Sequence, residues 1–299
     1  MHVFVTGATG FVGSAVVRDL LDAGHQVVGL ARSEQGATAL KAAGAEVHRG
    51  DLDDPDSLHG PAAASDGVIH LAYRHDLLYS GDLTTAGAVD LRAIETLAAA
   101  LDGSGKPLVY ASGTGLVRLD GRPTTEEDAP AEETHRSPAE NAVIALAEHG
   151  IRASVVRLPP TVHGRGDRAF VPAVIGFART HGVSAYAGDG SHRWPAVHRL
   201  DAAPLFRLAL ESAPAGTRLH AVADEGVPFR DIAAVIGRHL GLPVTGLSGD
   251  EAAAHFGWLS PFVGLDVPAS SALTQKLLDW RPRHPGLIAD LDEGHYFTA

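Results

Sequence analysis

Val5-Thr6-Gly7-Ala8-Thr9-Gly10-Phe11-Val12-Gly13 is the stretch on which the reading of this chain turns. A β-like run, His2–Thr6, leads into it, and a helical pattern, Gly13–Gly24, leaves it. Three glycines between a strand and a helix have separate jobs in a dinucleotide loop. Gly7 permits the tight turn, Gly10 lets a pyrophosphate approach the backbone, and Gly13 allows close helix–strand packing. The helix that follows presents unpaired N–H groups and the positive end of its dipole to phosphate.

Outward from this loop, short apolar runs alternate with helical patterns. Gln26–Ala31, Glu46–Arg49, Gly67–Ala72, Pro107–Ser112 and Ala153–Leu158 read as strands. Glu34–Ala43, Thr84–Leu101 and Pro138–His149 read as helices. Such alternation implies βαβ units and a parallel sheet covered on both faces. The expected class is therefore α/β, a Rossmann-type doubly wound parallel sheet with a smaller C-terminal α/β substrate-binding part. Arg118–His135 reads as a long surface loop of the kind that is often functional. Beyond Gly164 the pattern is irregular. Pro195–Arg199 and Ala202–Ser212 look like a return to the main domain, Pro228–Leu240 is an amphipathic helix, and Ser270–Trp280 is a further helical candidate. The expected division is a dinucleotide-binding domain over 1–163 and 195–213, with a substrate-binding part over 164–194 and 214–299.

The composition narrows the function. The 299 residues are 45% hydrophobic and 20% charged, which is globular, and long enough for a large core. No run approaches the roughly 20 apolar residues that span a bilayer, and the first apolar run opens directly into the glycine loop rather than a signal peptide. A cytoplasmic protein is expected. Cysteine is absent, which excludes disulfides, thiolate metal sites and a thiol nucleophile. The formal charge of −12 argues against nucleic acid and anionic membrane as partners. The 17 histidines show no metal-ligand spacing and read mostly as surface residues, so no metal is expected. The expected partner is a small-molecule substrate, and the protein is expected to be a monomer or homodimer.

The GxxGxxG spacing resembles the short-chain dehydrogenase/reductase superfamily, specifically its extended and atypical members, the NAD-dependent epimerase/dehydratase-like proteins. Gly50-Asp51-Leu52, Val68-Ile69-His70-Leu71-Ala72, Val109-Tyr110-Ala111-Ser112-Gly113-Thr114, Arg157-Leu158-Pro159-Pro160-Thr161-Val162-His163-Gly164 and Leu278-Asp279-Trp280-Arg281-Pro282 resemble later segments of that family in order. The resemblance implies cofactor contacts from Gly7, Thr9, Gly10, Phe11, Val12 and Gly13. It adds Asp51, Leu52, Leu71, Ala72 and Tyr73, then Ala111, Ser112, Gly113, Arg136, Pro159, Thr161 and Val162. The second strand ends in Ala31-Arg32-Ser33, without the acid that holds a ribose 2′-hydroxyl in NAD-specific folds. Arg32 can instead pair with a 2′-phosphate and Ser33 can add a hydrogen bond, so NADP(H) is the expected cofactor.

The family's usual Tyr and Lys, four residues apart, would fall in Thr134–Asn141. Arg136 and Glu140 stand there instead. Ser137-Pro138-Ala139-Glu140 reads as a capping box with proline at the first helical position. Arg136 cannot release a proton near neutrality; it is expected to bind a substrate carboxylate or a developing oxyanion, with a surface arginine as the alternative. Gly113 occupies the usual Ser/Thr place, leaving Ser112 or Thr114 to substitute, and Asp90 falls near the usual Asn. Tyr73 and His163 are the candidate proton carriers. The expected activity is NADPH-dependent reduction of a small or medium organic carbonyl. Two alternatives remain: a non-catalytic NADP(H)-binding redox sensor, and a sugar-nucleotide epimerase or dehydratase. The segments expected to form the pocket carry Phe170, Phe177, Trp194, Phe256, Trp258 and Phe262, aromatics that suit either core or an apolar substrate portion.

Overall fold

The computed structural model describes residues 1–117, 119, 121–130 and 134–298. The first half runs β1 (His2–Thr6), α1 (Phe11–Asp22), β2 (Gln26–Ala31), α2 (Glu34–Ala43), β3 (Glu46–Arg49), α3 (Asp56–Ala64), β4 (Gly67–His70), α4 (His75–Ser80), α5 (Leu83–Leu101), β5 (Pro107–Gly113), α6 (Ser137–Ala145) and β6 (Arg152–Leu158). There follow β7 (Thr161–His163), α7 (Phe170–His181), β8 (Ser184–Ala187), β9 (Arg193–His198), α8 (Arg199–Ser212), β10 (Thr217–His220), β11 (Asp224–Pro228), α9 (Phe229–Leu240), β12 (Val244–Leu247), α10 (Gly249–Phe256), α11 (Ser260–Val263), α12 (Ala272–Leu278) and α13 (Leu287–Asp292).

Seven strands form one parallel sheet in the order β3-β2-β1-β4-β5-β6-β10. The order reverses between β1 and β4. A crevice opens outside the carboxyl ends of the strands at such a switch point. Side chains alternate across each strand and both faces are covered. Val3 and Val5 of β1, with Val109 and Ala111 of β5, pack on the side of α1 and α8. Phe4, Leu108 and Tyr110 pack on the side of α3, α5 and α6. A separate core lies under α7, α9 and α10, centred on Trp194, Phe229, Ile236 and Phe256.

Pro195–Arg199 forms β9, which pairs with β7 and β11 in a three-stranded sheet while Val197 packs with α8 in the core of the main sheet. One placement departs from the sequence reading. Thr217–His220, read as substrate-side, is instead the edge strand beside β6. Of the loop read over Arg118–His135, residues 118, 120 and 131–133 lie outside the described residues. Its described part is stitched to the C-terminal segment: Thr124 N donates to Pro268 O (2.9 Å), and Ser270 N donates to Thr124 O (2.8 Å). Among the described residues, no helix is long and apolar enough to cross a membrane.

The capping box does not form. Helix α6 begins one residue earlier than the pattern suggests, with Arg136 as its N-cap. Glu140 therefore sits one position too deep to reach back to the helix start. Its carboxylate turns into the sheet, where it is fully buried. It accepts from Arg157 Nε (3.1 Å to Oε1), Arg218 Nε (2.9 Å) and Ser112 Oγ (2.7 Å). Burial opposes its charge, but these donors outweigh burial and hold the carboxyl below the usual glutamate range. The cluster ties α6 to β5, β6 and β10.

Removing one member of a buried ion pair strands the other, at a cost of about 3–5 kcal/mol. Glu140→Ala is expected to lower unfolding stability by that amount in urea titrations at pH 7. Glu34→Ala, which breaks only an exposed contact to Arg49, is expected to change it by less than about 0.5 kcal/mol. Because the Glu140 pKa is depressed in the fold, its contribution is full above the unfolded value and fades as pH falls through the lowered one. The Glu140→Ala deficit should shrink on acidification; a deficit that grows below pH 4 would contradict the assignment.

Candidate active site

The glycine loop joins β1 to α1 at the switch point. Gly7 has φ +65°, and a Cβ there would lie 2.7 Å from Ala72 N at the end of β4. A Cβ on Gly13 would lie 2.0 Å from Gly7 O. Both glycines are thus demanded by the protein's own packing. Gly10 is different. It is exposed, its backbone is ordinary extended chain (φ −73°), and its nearest obstruction is Gly7 O at 3.1 Å. The contact with Gly7 O is tight, but it is far looser than those at Gly7 and Gly13, so the space in front is the main thing its missing side chain keeps clear. Gly10 caps the 12-residue α1 without a side-chain hydrogen bond, leaving the first N–H groups of the helix facing that space. This cradle fits a dinucleotide pyrophosphate.

At the end of β2, Arg32 is exposed, with Asp51 Oδ2 4.0 Å from its Nε. Ser33 Oγ is not idle: it accepts from Gly36 N (3.1 Å) as the N-cap of α2, which leaves its hydroxyl hydrogen to donate. Arg49, passed over by the sequence reading, lies across the same turn and donates to Ser33 O (2.6 Å) and Arg32 O (3.3 Å). Thr9 is exposed beside this turn, whereas Leu52 points into the core and can offer only backbone. Phe11 is half-buried under the Arg199 guanidinium (4.9 Å to the ring centroid), and Val12 packs on the core under α1.

Past the ends of β4 and β5 lies a buried polar network. Thr6 Oγ1 accepts from Leu71 N and Ala72 N (3.2 Å each) and donates to His70 Nδ1 (2.6 Å). That assignment leaves the His70 N–H on Nε2, which faces Asp90 Oδ1 at 3.4 Å. Tyr110 OH donates to Asp90 Oδ2 (2.5 Å). Arg136 Nη2 donates to Tyr110 OH (2.8 Å) and Ala111 O (2.6 Å) and lies 3.4 Å from Asp90. Arg136 is therefore no surface residue; it reaches in from the start of α6, and its guanidinium lies 4.3 Å above the Tyr73 ring. Gly87 of α5 makes room, since a Cβ there would meet His135 O at 2.1 Å. Burial resists a charge on Asp90, but Arg136 and His70 outweigh burial and keep its carboxyl below the usual aspartate range.

Among the described residues, five buried polar atoms of this region lack a hydrogen-bond partner; His70 Nε2 and Asp90 Oδ1 at least face each other, which leaves Tyr73 OH, Thr114 Oγ1 and Arg136 Nε facing no opposite group. Burial pushes the Tyr73 phenol up to about 12 against the opposing pull of Arg136. A Cβ on Gly113 would find only Leu158 O, at 3.8 Å, so the chain between Ser112 and Thr114 borders open space. Ser112 Oγ itself is committed to Glu140.

The structure does not bring His163 to this group. Its Nδ1 pairs with Asp290 Oδ2 (2.9 Å), and its ring meets His198. Thr161 and Pro159 are buried and Val162 is half-buried; Thr161 Oγ1 has no partner. Sequence reasoning passed over Tyr110 and gave Asp90 little weight. The available signal was an acid on the apolar stripe of α5, among Ala86, Val89, Ala93, Ile94 and Leu97, which must find a buried donor. Five histidines are buried, namely His70, His163, His198, His220 and His255.

Comparison with known proteins agrees with this geometry. Residues 3–222 match the model of the NAD dependent epimerase/dehydratase family. An uncharacterized protein of Schizosaccharomyces pombe is 48% identical over 99% of this chain and 100% of its own length. The 2-alkyl-3-oxoalkanoate reductase of Stenotrophomonas maltophilia is 29% identical over 78% of this chain and 73% of its own. A dTDP-glucose 4,6-dehydratase of Streptomyces venezuelae, solved with NAD bound, has the same fold (TM-score 0.78, 19% identity, 98% of this chain and 96% of that one).

The glycines separate by experiment. Gly13→Ala is expected to destabilise the fold outright. Gly10→Val should keep the melting temperature within a few degrees yet abolish dinucleotide binding in calorimetry. Unaltered NADPH affinity in folded Gly10→Val would remove the cradle from the site.

Proposed function

The chain belongs to the NAD dependent epimerase/dehydratase family, and on that premise we propose that it is an NADPH-dependent oxidoreductase that reduces an organic carbonyl. The observation that carries the reading is the set of unpartnered buried atoms, Tyr73 OH, Thr114 Oγ1 and Arg136 Nε, beyond two adjacent strand ends. A buried polar group without a partner is costly, and a substrate carbonyl oxygen would supply what these donors lack.

A nicotinamide cofactor, when bound, would supply the hydride. Tyr73 supplies the proton. Burial keeps its phenol protonated at neutral pH, so it can donate to the carbonyl oxygen as negative charge develops there. Thr114 donates the second hydrogen bond. As the proton leaves, charge grows on the Tyr73 oxygen beside the Arg136 guanidinium, which stabilises it electrostatically. Arg136 thereby does for Tyr73 what a neighbouring lysine does for the family's usual tyrosine, without releasing a proton itself. Its anchors, Tyr110, Asp90 and Ala111 O, hold it over the ring. The segments 164–194 and 214–299 are proposed to form the substrate-side wall.

The preference for NADPH rests on Arg32, Arg49 and Ser33 around the N-terminus of α2. Two guanidinium groups and a helix dipole favour a 2′-phosphate.

NADPH should bind at least tenfold more tightly than NADH. Arg32→Ala should erase most of the gap, as one charge-assisted contact is worth about 1.5–3 kcal/mol. Equal affinities in the unaltered protein would contradict the assignment.

For turnover, Tyr73→Phe is expected to lower kcat about 100-fold or more with little change in KM. Arg136→Ala should impair kcat more than Arg136→Lys, and both should keep NADPH affinity. Unaltered kcat in Tyr73→Phe would exclude it as the proton donor. Tight NADPH binding with no turnover across a carbonyl panel would favour a binding protein.

A further inference from the structure

A row of rings leads away from the Tyr73–Arg136 pair. Tyr73 meets His75 (centroids 5.4 Å apart), His75 meets Tyr79 (6.2 Å), and Tyr79 meets Trp258 edge-to-face (5.0 Å). Trp258 in turn meets Phe170 (5.8 Å). The members of this row differ in burial. Phe170, at its far end, is partly buried against the core under α7, whereas Tyr79 and Trp258, in its middle, are 41% and 37% exposed. Trp194 and Trp280, by contrast, are each only 2% exposed. Tyr79 projects from α4, a short helix with no buried residue. Trp258 belongs to the Gly257–Leu259 turn at the end of α10. The pair therefore joins two remote segments and closes no core.

Ligand sites are lined largely by apolar and aromatic side chains, and a pair of half-exposed rings beside a candidate reaction site fits such a lining. Their chemistry narrows the ligand. Ring faces and edges favour a planar aromatic partner in offset or T-shaped contact. Charge narrows it further. Arg136 is already held by Tyr110, Asp90 and Ala111 O. The Asp167 carboxyl accepts from Tyr296 OH (3.2 Å) and Ala169 N (2.8 Å), in the segment that runs directly into Phe170 of the ring row. An anionic group at this end would face that carboxyl.

We propose that Tyr79 and Trp258 form an aromatic clasp that selects carbonyl substrates carrying an uncharged aryl group, the ring resting on the clasp while the carbonyl faces Tyr73. The orientation rests on the reading of the preceding subsection; the clasp itself can be tested without turnover.

The probe pair is 4-phenyl-2-butanone and 2-butanone, with the protein loaded with NADP⁺ or NADPH. Trp258 is the half-exposed indole, so acrylamide quenching of tryptophan emission reports on it. With NADP⁺ bound, saturating 4-phenyl-2-butanone should protect at least half of the quenchable emission, and 2-butanone should protect none. The protectable emission should vanish in Trp258→Phe, leaving the two buried indoles. With NADPH, the ratio of kcat/KM for the aryl ketone to that for 2-butanone should fall at least tenfold in Tyr79→Ala and Trp258→Ala. Tyr79→Phe and Trp258→Phe should hold it within threefold. An unchanged ratio in both alanine variants, or no protection at saturating aryl ketone, would overturn the clasp. If neither ketone is reduced, the oxidoreductase reading fails while protection still decides the clasp: protection lost in Tyr79→Ala upholds it, and its absence in the unaltered protein refutes it.

Discussion

One close contact sets the geometry of the whole crevice: the start of α1 rests on the carbonyl of Gly7, nearer than any side chain would permit at Gly13. Gly7 in turn presses against the backbone at the end of β4. With no Cβ at either place, the helix begins directly over the point where strand order reverses. Its N–H groups and dipole then face the crevice rather than the core. The rest of the site follows from this. Thr6, one residue earlier, ties the ends of β1 and β4 with one hydroxyl and positions His70. His70 faces Asp90, and Asp90 holds Tyr110 and Arg136.

That polar chain lies within an otherwise apolar layer. Tyr110 and Asp90 are buried among Leu108, Ile94 and Leu97, where an unmatched charge would be unacceptable. Asp90 is tolerated because Arg136 and Tyr110 meet it from one side and His70 from the other. A network of this kind is rigid, since each member fixes the orientation of the next. A few steps along the sheet, Glu140 repeats the arrangement with Arg157 and Arg218. The two clusters flank the start of α6 and hold it against the strand ends that deliver Ser112 and Thr114.

Much of this was legible in the sequence, for identifiable reasons. The glycine loop and the first six strands follow from local signals: apolar runs of fixed length, separated by turns. Helix α3 was passed over because Gly60 and Pro61 interrupt its pattern, yet burial of Leu58 and Ala62 carries the helix through them. Helix α7 has Pro172 in its first turn, where proline is tolerated. The Ser137–Glu140 pattern was real, but a pattern cannot see Arg157 and Arg218, whose charge draws Glu140 inward and moves the helix start by one residue. His163 is similar: its partner Asp290 lies more than a hundred residues away, and only the fold brings them together. Tyr73 and Arg136 were both readable as candidates. That one lies over the other was not, because it depends on Gly87 admitting the chain at His135.

The position of β10 bears on how the chain assembles during synthesis. β6 is buried through Ala153, Val155 and Val156, but its outer neighbour arrives only after the excursion through β7, α7, β8, β9 and α8. At roughly 5–20 residues per second, a nascent chain shows that apolar edge unpaired for several seconds. Arg218, on the same late strand, completes the charges around Glu140 only then. The seven-stranded sheet is thus unfinished, with a partly matched buried acid, until residue 220 emerges. An edge of that kind is open to wrong strand partners, so this interval of synthesis is where chaperones would be needed most.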